Sequence, residues 1–293
     1  MKVGVLAFLT EQSGNPGAIA CEAENLGFES FWVAEHMVMP SHYTVHYPRS
    51  ADGKVPEFYA HLIDPFIALA IAAQATSRIR IGTAICLLPE RNVIETAKSA
   101  ACIDFYSGGR LSFGIGAGWF PEEARIMGVD FARRWRHLRE SVEALRLLWA
   151  RDDVGYEGEI IKFPPVRLYP RPVQKPGPPI LLGAHDPKYA LRRAARYADG
   201  WCPGGLTVEK ARECIPQIQK MAKEEYGRDP KQLEFSVLLM GSGEGPSADV
   251  MKRYAEAGVS RLVVAAAGSA HSDGVRAVQA AAPMVERASR LDQ

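Results

Sequence analysis

Short apolar runs alternate along the whole chain with longer segments in which apolar residues recur at helical spacing. Leu138, Val142 and Leu145 show that spacing, so the stretch that carries them predicts an amphipathic helix over residues 132–150. Other helix starts are marked by a capping residue followed by proline, as at Asn15-Pro16 and Asp64-Pro65. The apolar runs predict strands at residues 3–8, 30–34, 79–88, 111–115, 180–182, 201–202, 235–240 and 262–265.

Each of these strands is followed by a predicted helix, and strict alternation of this kind predicts a parallel sheet. Eight strand–helix pairs match the closed (β/α)8 TIM barrel, an α/β fold that commonly forms one domain of about 250 residues. A doubly wound open sheet usually has fewer strands and carries its glycine motif after the first strand, where this chain has none. We therefore predict a single TIM barrel domain over residues 1–293.

Two segments, residues 39–62 and 151–177, are too long for plain barrel loops and are rich in proline, glycine and tyrosine. We predict them as insertions on the barrel, the first after the second strand and the other before the fifth strand. The first insertion is expected to cover the mouth of the barrel and to set specificity. Its tyrosines favour a partly apolar, carbonyl-bearing small molecule as the substrate.

Composition excludes several classes of protein. The formal net charge is +1 and no long basic run occurs, which argues against a nucleic acid or an anionic membrane as the partner. Five cysteines without regular spacing favour reduced thiols and a cytoplasmic location. The first apolar run is short and lacks a small-residue cleavage site, and no run approaches the roughly eighteen apolar residues of a membrane span.

Barrel enzymes carry their chemistry at the carboxyl ends of the strands, so the residues there form the candidate site. In chain order these residues are Glu35 and His36, then Thr83, Ala84 and Ile85, then Gly116, Ala117, Gly118 and Trp119, then Gly183, Ala184 and His185. Small residues also follow the sixth and seventh strands, at 203–205 and 241–243. Such residues let a flat group approach the backbone, and a neighbouring tryptophan offers a stacking face.

The same residues argue against other chemistries. A metal hydrolase needs converging histidines and carboxylates, and Schiff-base chemistry needs a lysine inside a strand; the predicted strand ends provide neither. His42, His46 and His61 lie in the first insertion, where we expect solvated side chains rather than metal ligands. A wide, smooth mouth with one Glu-His pair suits a flat cofactor that brings its own reactivity.

A set of motifs extends this interpretation. In chain order they are Phe-Trp-Val-Ala-Glu-His at 31–36, Asp-Pro at 64–65, Ala-Thr-Ser-Arg-Ile-Arg-Ile-Gly-Thr at 75–83, Asp-Phe-Tyr-Ser-Gly-Gly-Arg at 104–110, Gly-Ile-Gly-Ala-Gly-Trp at 114–119 and Ala-Asp-Gly-Trp at 198–201. Together they make the chain resemble the luciferase-like monooxygenase superfamily, and within it the coenzyme F420-dependent oxidoreductases. The resemblance covers nearly the whole chain. It implies a TIM barrel, usually dimeric, with a flavin or deazaflavin over the strand ends.

The resemblance also bears on the identity of the cofactor. Members of the bacterial luciferase type hold the FMN phosphate with an arginine near the end of strand four, and the matching position here is Ala117. F420-dependent members commonly lack that arginine, and the run 118–123 also resembles their pattern. Against this, F420 enzymes often carry Asp-His on strand two, whereas Glu35-His36 matches the luciferase side. We expect coenzyme F420. The alternatives are an FMN-dependent monooxygenase, which would use a separate reductase, and a cofactor-free barrel that acts as a lyase or isomerase.

Specific roles follow for the candidate residues. His36 is expected to be the catalytic acid–base group, because a histidine exchanges protons near neutral pH, and Glu35 is the next candidate. The residues of strands three to five are expected to bind the cofactor, with the backbone of Gly183 and Ala184 near its phosphate. Asp186 caps the following helix and would compete for the same amides.

Two structural expectations come from the resemblance. Luciferase-like proteins often contain a cis peptide bond between two non-proline residues on strand three, and the match falls on Ala84-Ile85. They also commonly form homodimers through the helices after strands two and three. In this chain Phe66, Ile67, Leu69 and Ile71 make the helix from Asp64 more apolar than one core-facing stripe requires, so we expect a homodimer there.

Overall fold

The computed structural model describes residues 1–47, 50–185, 187–241 and 245–291. Its strands are β1 (Lys2–Ala7), β2 (Ser30–Val33), β3 (Arg80–Thr83), β4 (Cys86–Leu87), β5 (Leu111–Gly116), β6 (Val154–Glu157), β7 (Lys162–Val166), β8 (Ile180–Leu182), β9 (Gly200–Trp201), β10 (Glu234–Leu239) and β11 (Arg261–Ala265). Its helices are α1 (Pro16–Asn25), α2 (Pro65–Ala75), α3 (Val93–Tyr106), α4 (Pro121–Ile126), α5 (Arg134–Ala150), α6 (Pro187–Tyr197), α7 (Val208–Glu224), α8 (Ala248–Glu256), α9 (Gly274–Ala281) and α10 (Pro283–Ser289).

The parallel strands close into a barrel. Hydrogen bonding runs in the order β3, β2, β1, β11, β10, β9, β8 and β5, and β5 pairs back to β3. The short β4 continues the course of β3 and pairs with β5, so the two segments share one position in the barrel. The barrel therefore has eight parallel positions with helices around it, and the predicted (β/α)8 fold is confirmed.

Both predicted insertions extend from this barrel. Residues 39–62 follow β2 and contain the 3-10 turn Glu57–His61. Residues 151–177 contain the antiparallel hairpin of β6 and β7, which pairs separately from the barrel sheet. No helix in the described part of the chain combines the length and apolar character needed to cross a membrane.

The structure departs from the predicted elements in three places. The predicted strand 79–88 is interrupted between Thr83 and Cys86, where the cis bond Ala84-Ile85 lies as expected. A short helix, α4, precedes α5 and was not predicted, although Pro121 at its first turn is a recognised start signal. The predicted closing helix is divided at Pro283, because a proline cannot continue the hydrogen bonding of α9. Asp186 and residues 242–243 lie outside the described residues.

The interior of the barrel is filled at the end where the strands begin. The Arg261 side chain is fully buried there and donates to both carboxylate oxygens of Glu29, at 2.6 and 2.7 Å, and to the hydroxyl of Ser236. Arg261 also forms an ion pair with Glu234. Above this network an apolar layer that includes Trp32 and Leu181 packs across the barrel. The open space therefore lies at the opposite end, where the strands finish.

Arg110 links the outer helices to the sheet just before β5. Its guanidinium donates to the carbonyl oxygens of Ala73, Thr76 and Ile79, each at 2.8 Å, and to the Thr76 hydroxyl. Its Nε donates to the carbonyl of Ser107 at 2.7 Å. These acceptors include carbonyls at the end of α2, which have no partner inside their own helix. One side chain thus closes the end of α2 and fixes the entry to β3.

We predict that Arg110→Lys destabilises the protein by roughly 2–3 kcal/mol, because lysine keeps the charge but cannot make the fork of hydrogen bonds. The free energy of unfolding in urea, followed by circular dichroism, measures the loss. Arg78→Lys, at an exposed position in the same turn, is the matched control and should change stability little. Equal stability of the two variants would contradict the assigned role.

Candidate active site

A cavity of about 790 Å³ opens where the barrel strands end. This volume is within the usual range for small-molecule and cofactor sites. The cavity brings together every sequence-predicted site residue except Thr83, namely Glu35, His36, Ala84, Ile85, Gly116, Ala117, Gly118, Trp119, Gly183, Ala184 and His185. Thr83 is fully buried behind the wall, where its hydroxyl donates to the carbonyl of Gly114 at 2.6 Å.

The side chain of Ile85 forms one wall of the cavity. A Cβ added at Gly183 would lie 2.7 Å from Cδ1 of Ile85, and one added at Gly116 would lie 3.0 Å from its Cγ2. The glycines therefore make room for Ile85. This corrects the expectation that they leave bare backbone for a ligand, because the space over two of them is already filled. The result is still a smooth apolar surface against which a flat ring can pack.

His36 and Glu123 form a hydrogen-bonded pair beside this wall. Nδ1 of His36 lies 2.6 Å from Oε2 of Glu123, and both side chains are buried. The other carboxylate oxygen accepts from the backbone N–H of Met37 at 2.8 Å. A carboxylate that accepts these bonds fixes the orientation of the imidazole, which leaves Nε2 as the ring nitrogen available for proton exchange.

Glu123 was missed by the sequence analysis. It is the third residue of α4, the short helix that was not predicted, and it comes 87 positions after His36. The run Pro121-Glu122-Glu123 is a recognisable helix start, since proline and acidic residues are favoured in the first turn. That signal predicts a helix after Gly116 and Gly118, but it does not predict which strand end the carboxylates face.

Aromatic side chains surround His36 on the side of the first insertion. The imidazole makes edge contacts with Tyr59 and Trp119, at centroid distances of 4.8 and 5.7 Å. The hydroxyls of Tyr47 and Tyr59 are 2.9 Å apart, and both tyrosines line the cavity. The insertion therefore contributes an apolar, hydroxyl-bearing face to the site.

Glu35 lies in a buried ion-pair network. Its carboxylate is fully buried, accepts from the backbone N–H of Leu87 at 2.7 Å and pairs with Arg91. Arg91 also donates to Asp64 at 2.7 Å. Burial alone would lower the pKa of Arg91, but Glu35 and Asp64 outweigh it and the pKa is raised. Both oxygens of Glu35 are thus committed to contacts with Leu87 and Arg91.

The two cavity residues that follow β8, Gly183 and Ala184, also make hydrogen bonds within the protein. The backbone N–H of Gly183 donates to the carbonyl of Ile115 at 2.8 Å, so it is not available for a phosphate, contrary to the expectation. The carbonyl of Ala184 accepts from the indole of Trp201, a core residue that is 2% exposed. No group of three potential metal-ligating side chains occurs among the residues that the structure describes.

A family comparison decides the identity of this barrel. The model of the luciferase-like monooxygenase family matches residues 4–290. The chain belongs to this family. An uncharacterised protein of Mycobacterium tuberculosis is 35% identical over 268 residues, which cover 90% of this chain and 91% of the relative.

Relatives of known cofactor dependence fall into two groups. The oxygenase component of the flavin-dependent trigonelline monooxygenase of Acinetobacter baylyi is 33% identical over 167 residues, 56% of this chain and 41% of that protein. The F420-dependent glucose-6-phosphate dehydrogenase of Amycolatopsis mediterranei is 29% identical over 216 residues, 71% of this chain and 59% of that protein. The luciferase-like family thus contains oxidoreductases and monooxygenases, some of which depend on a flavin and others on F420.

The fold itself is shared with solved structures. An F420-dependent secondary alcohol dehydrogenase, solved with an F420-acetone adduct, superposes with a TM-score of 0.76 at 18% identity and 98% coverage of both chains. At this level of identity the likeness concerns the luciferase-like fold alone.

A third carboxyl, that of Glu90, lies beneath the luciferase-like site. Glu90 is 3% exposed, and neither of its carboxyl oxygens has a hydrogen-bond partner among the described residues. Its Oε1 lies 2.7 Å from the place that a Cβ of Gly118 would occupy, and Gly118 has a φ of +79°, so two separate constraints demand glycine there. Burial raises the pKa of Glu90 to about 9, and the charges of Glu123 and Glu35 add to this effect.

We predict that Glu90→Gln stabilises the protein increasingly as the pH rises from about 5 to 9. The native carboxyl stays protonated up to about pH 9, whereas in the unfolded chain it ionises above about pH 4.3, so each pH unit between them costs the wild type about 1.4 kcal/mol. Urea unfolding at several pH values measures the difference. Glu95→Gln, at an exposed position, is the control and should show no such trend. A pH-independent difference for Glu90→Gln would mean that this carboxyl is ionised in the folded protein.

Proposed function

We propose that this protein is a coenzyme F420-dependent oxidoreductase that transfers a hydride between the cofactor and a small organic carbonyl or hydroxyl compound. The observation that carries the proposal is the buried His36–Glu123 pair at the edge of a cavity with a smooth apolar wall. Hydride movement at a carbon is accompanied by proton movement on its oxygen, and the site supplies a group for that proton.

The residues of the cavity fit a flat tricyclic ring. Ile85 fills the space over Gly116 and Gly183, and its side chain gives this wall an apolar surface on which a planar ring can pack. When bound, the cofactor supplies the hydride chemistry that the side chains lack. Ile85, Ala84 and the backbone at Gly116 would hold the ring.

The chain's own residues handle the proton. Glu123 accepts the hydrogen bond from Nδ1 of His36 and thereby fixes the orientation of the imidazole. Nε2 is then the atom that gives a proton to a substrate oxygen during reduction, or takes it during oxidation. Tyr47, Tyr59 and Trp119 exclude water around the imidazole, which strengthens its interaction with Glu123.

FMN-dependent oxygenation is the second candidate function. The Glu35-His36 pair favours it through the resemblance to luciferase-type proteins, and a flavin-dependent relative supports it. F420 is favoured by Ala117 in place of the phosphate-binding arginine and by an F420-dependent relative. Titration of the purified protein with F420, F0 (the phosphate-free F420 chromophore) and FMN, read by absorbance and fluorescence quenching, separates these candidates. If neither cofactor bound, a cofactor-free lyase or isomerase would remain.

For the acid–base role we predict that His36→Ala keeps the affinity for the cofactor within a few-fold but lowers turnover roughly 100-fold or more, the usual scale for a lost general acid or base. Binding is measured by fluorescence titration, and turnover by the F420 absorbance with a panel of alcohols and ketones. Glu123→Gln should produce a smaller loss and a displaced pH profile, because the histidine remains but its partner is neutral. Undiminished turnover of His36→Ala at saturating substrate would place the proton elsewhere.

We also propose a homodimer through α2. Ile67 and Ile71 are 63% and 38% exposed on this helix, one turn apart, while Phe66 and Leu69 face the core. Apolar side chains aligned in this way on a surface helix favour association. The double substitution Ile67→Asp and Ile71→Asp should therefore give a monomer in sedimentation velocity at micromolar concentration. Val173→Asp, at another exposed apolar position, should leave the dimer intact. A wild-type monomer would contradict the proposal.

A further inference from the structure

Arg134 reaches the cavity from an element that the sequence analysis did not connect with the site. It is the first residue of α5 and lines the cavity beside Trp119 and Trp135. Its Nε donates to the carbonyl of Gly118 at 3.2 Å, and one terminal nitrogen donates to the carbonyl of Phe131 at 2.8 Å. The guanidinium carbon lies 3.7 Å from the centroid of the Phe131 ring. The side chain is therefore held in place while part of its donor capacity stays unused.

Arg134 has no charge partner in the part of the chain that the structure describes. Within the described ranges 1–47, 50–185, 187–241 and 245–291, no carboxylate lies within ion-pair distance of it. The two buried carboxylates nearest the catalytic histidine are already paired, Glu35 with Arg91 and Glu123 with His36. Burial lowers the pKa of Arg134, and the like charge of Arg193 lowers it further. An unpaired cation in a partly buried wall is a binding group for an anion.

The position of Arg134 indicates which anion. Its Nε donates to the carbonyl of Gly118. The residue before Gly118 is Ala117, which matches the position of the phosphate-binding arginine in proteins of the luciferase type. The guanidinium therefore lies beside the end of β5, in the part of the cavity wall that Trp119 and Trp135 also line.

We propose that Arg134 binds the phosphate group of the cofactor, supplying from α5 the charge that Ala117 cannot supply from β5. The inference rests on the proposed function, because it requires a phosphorylated ring cofactor in the cavity. Both F420 and FMN carry a phosphate, so the assignment holds for either one. The ring is bound by the Ile85 wall and the phosphate by Arg134, and the two contributions can be measured separately.

The test compares ligands with and without phosphate. FMN is paired with riboflavin, and F420 is paired with F0; each Kd is measured by fluorescence quenching. The wild type should bind the phosphorylated member of the preferred pair roughly 10- to 100-fold more tightly, the range expected for one charge-assisted contact. Arg134→Met should reduce that ratio to about one and leave the affinity for the phosphate-free ring unchanged. Arg134→Lys should restore part of the ratio.

Arg133→Met is the matched control, since Arg133 is a neighbouring arginine that is exposed and pairs with Glu159. It should keep the wild-type ratio. If the ratio of the two Kd values were unchanged in Arg134→Met, this inference would be overturned but the proposed function would stand. The same holds if Arg134→Met lost affinity equally for phosphorylated and phosphate-free ligands, because Arg134 would then only shape the wall. Failure of every ring ligand to bind the wild type would overturn the proposed function and this inference with it.

Discussion

The buried pair of Glu35 and Arg91 holds the site together. Glu35 lies two residues after the end of β2. Its carboxylate accepts from the N–H of Leu87 on β4, and Arg91 extends the connection to Asp64 at the start of α2. Arg91 also lies over the ring of Phe66, 4.7 Å from its centroid. Removing one partner of such a pair leaves an unpaired buried charge, at a cost of about 3–5 kcal/mol. His36 and the Ile85 wall flank this network, so the geometry of both depends on it.

Three carboxyl groups lie close together beneath the cavity, and each has a different state. Glu35 is neutralised by an arginine, Glu123 accepts from a histidine and a backbone amide, and Glu90 is without a hydrogen-bond partner and keeps its proton. Different environments give the same type of side chain different protonation states, and therefore different roles, within one site. The carboxyl of Glu90 also packs under Gly118, directly after the end of β5.

The sequence was sufficient for the barrel and for the position of its mouth, because each strand and most helices have local signals. It predicted glycines at the mouth but not that Ile85, from the break between β3 and β4, fills the space over Gly116 and Gly183. Glu123 and Arg134 were missed because both come after β5, on helices whose direction relative to His36 depends on the closed barrel. The partner of Glu35 could not be predicted for the same reason, because Arg91 is 56 residues away. Local patterns predict elements, whereas pairing between strand ends depends on tertiary structure.

The central claim is that a flat redox cofactor packs on the Ile85 wall with its reactive edge facing His36. A crystal structure of the protein with the cofactor that it binds tests this claim most directly. The predicted result is a ring in van der Waals contact with Ile85 and Gly116. The hydride-carrying carbon of the ring and Nε2 of His36 should both border one open space that a substrate can occupy. A ring bound outside this cavity, or bound with His36 shielded from its reactive edge, would contradict the account.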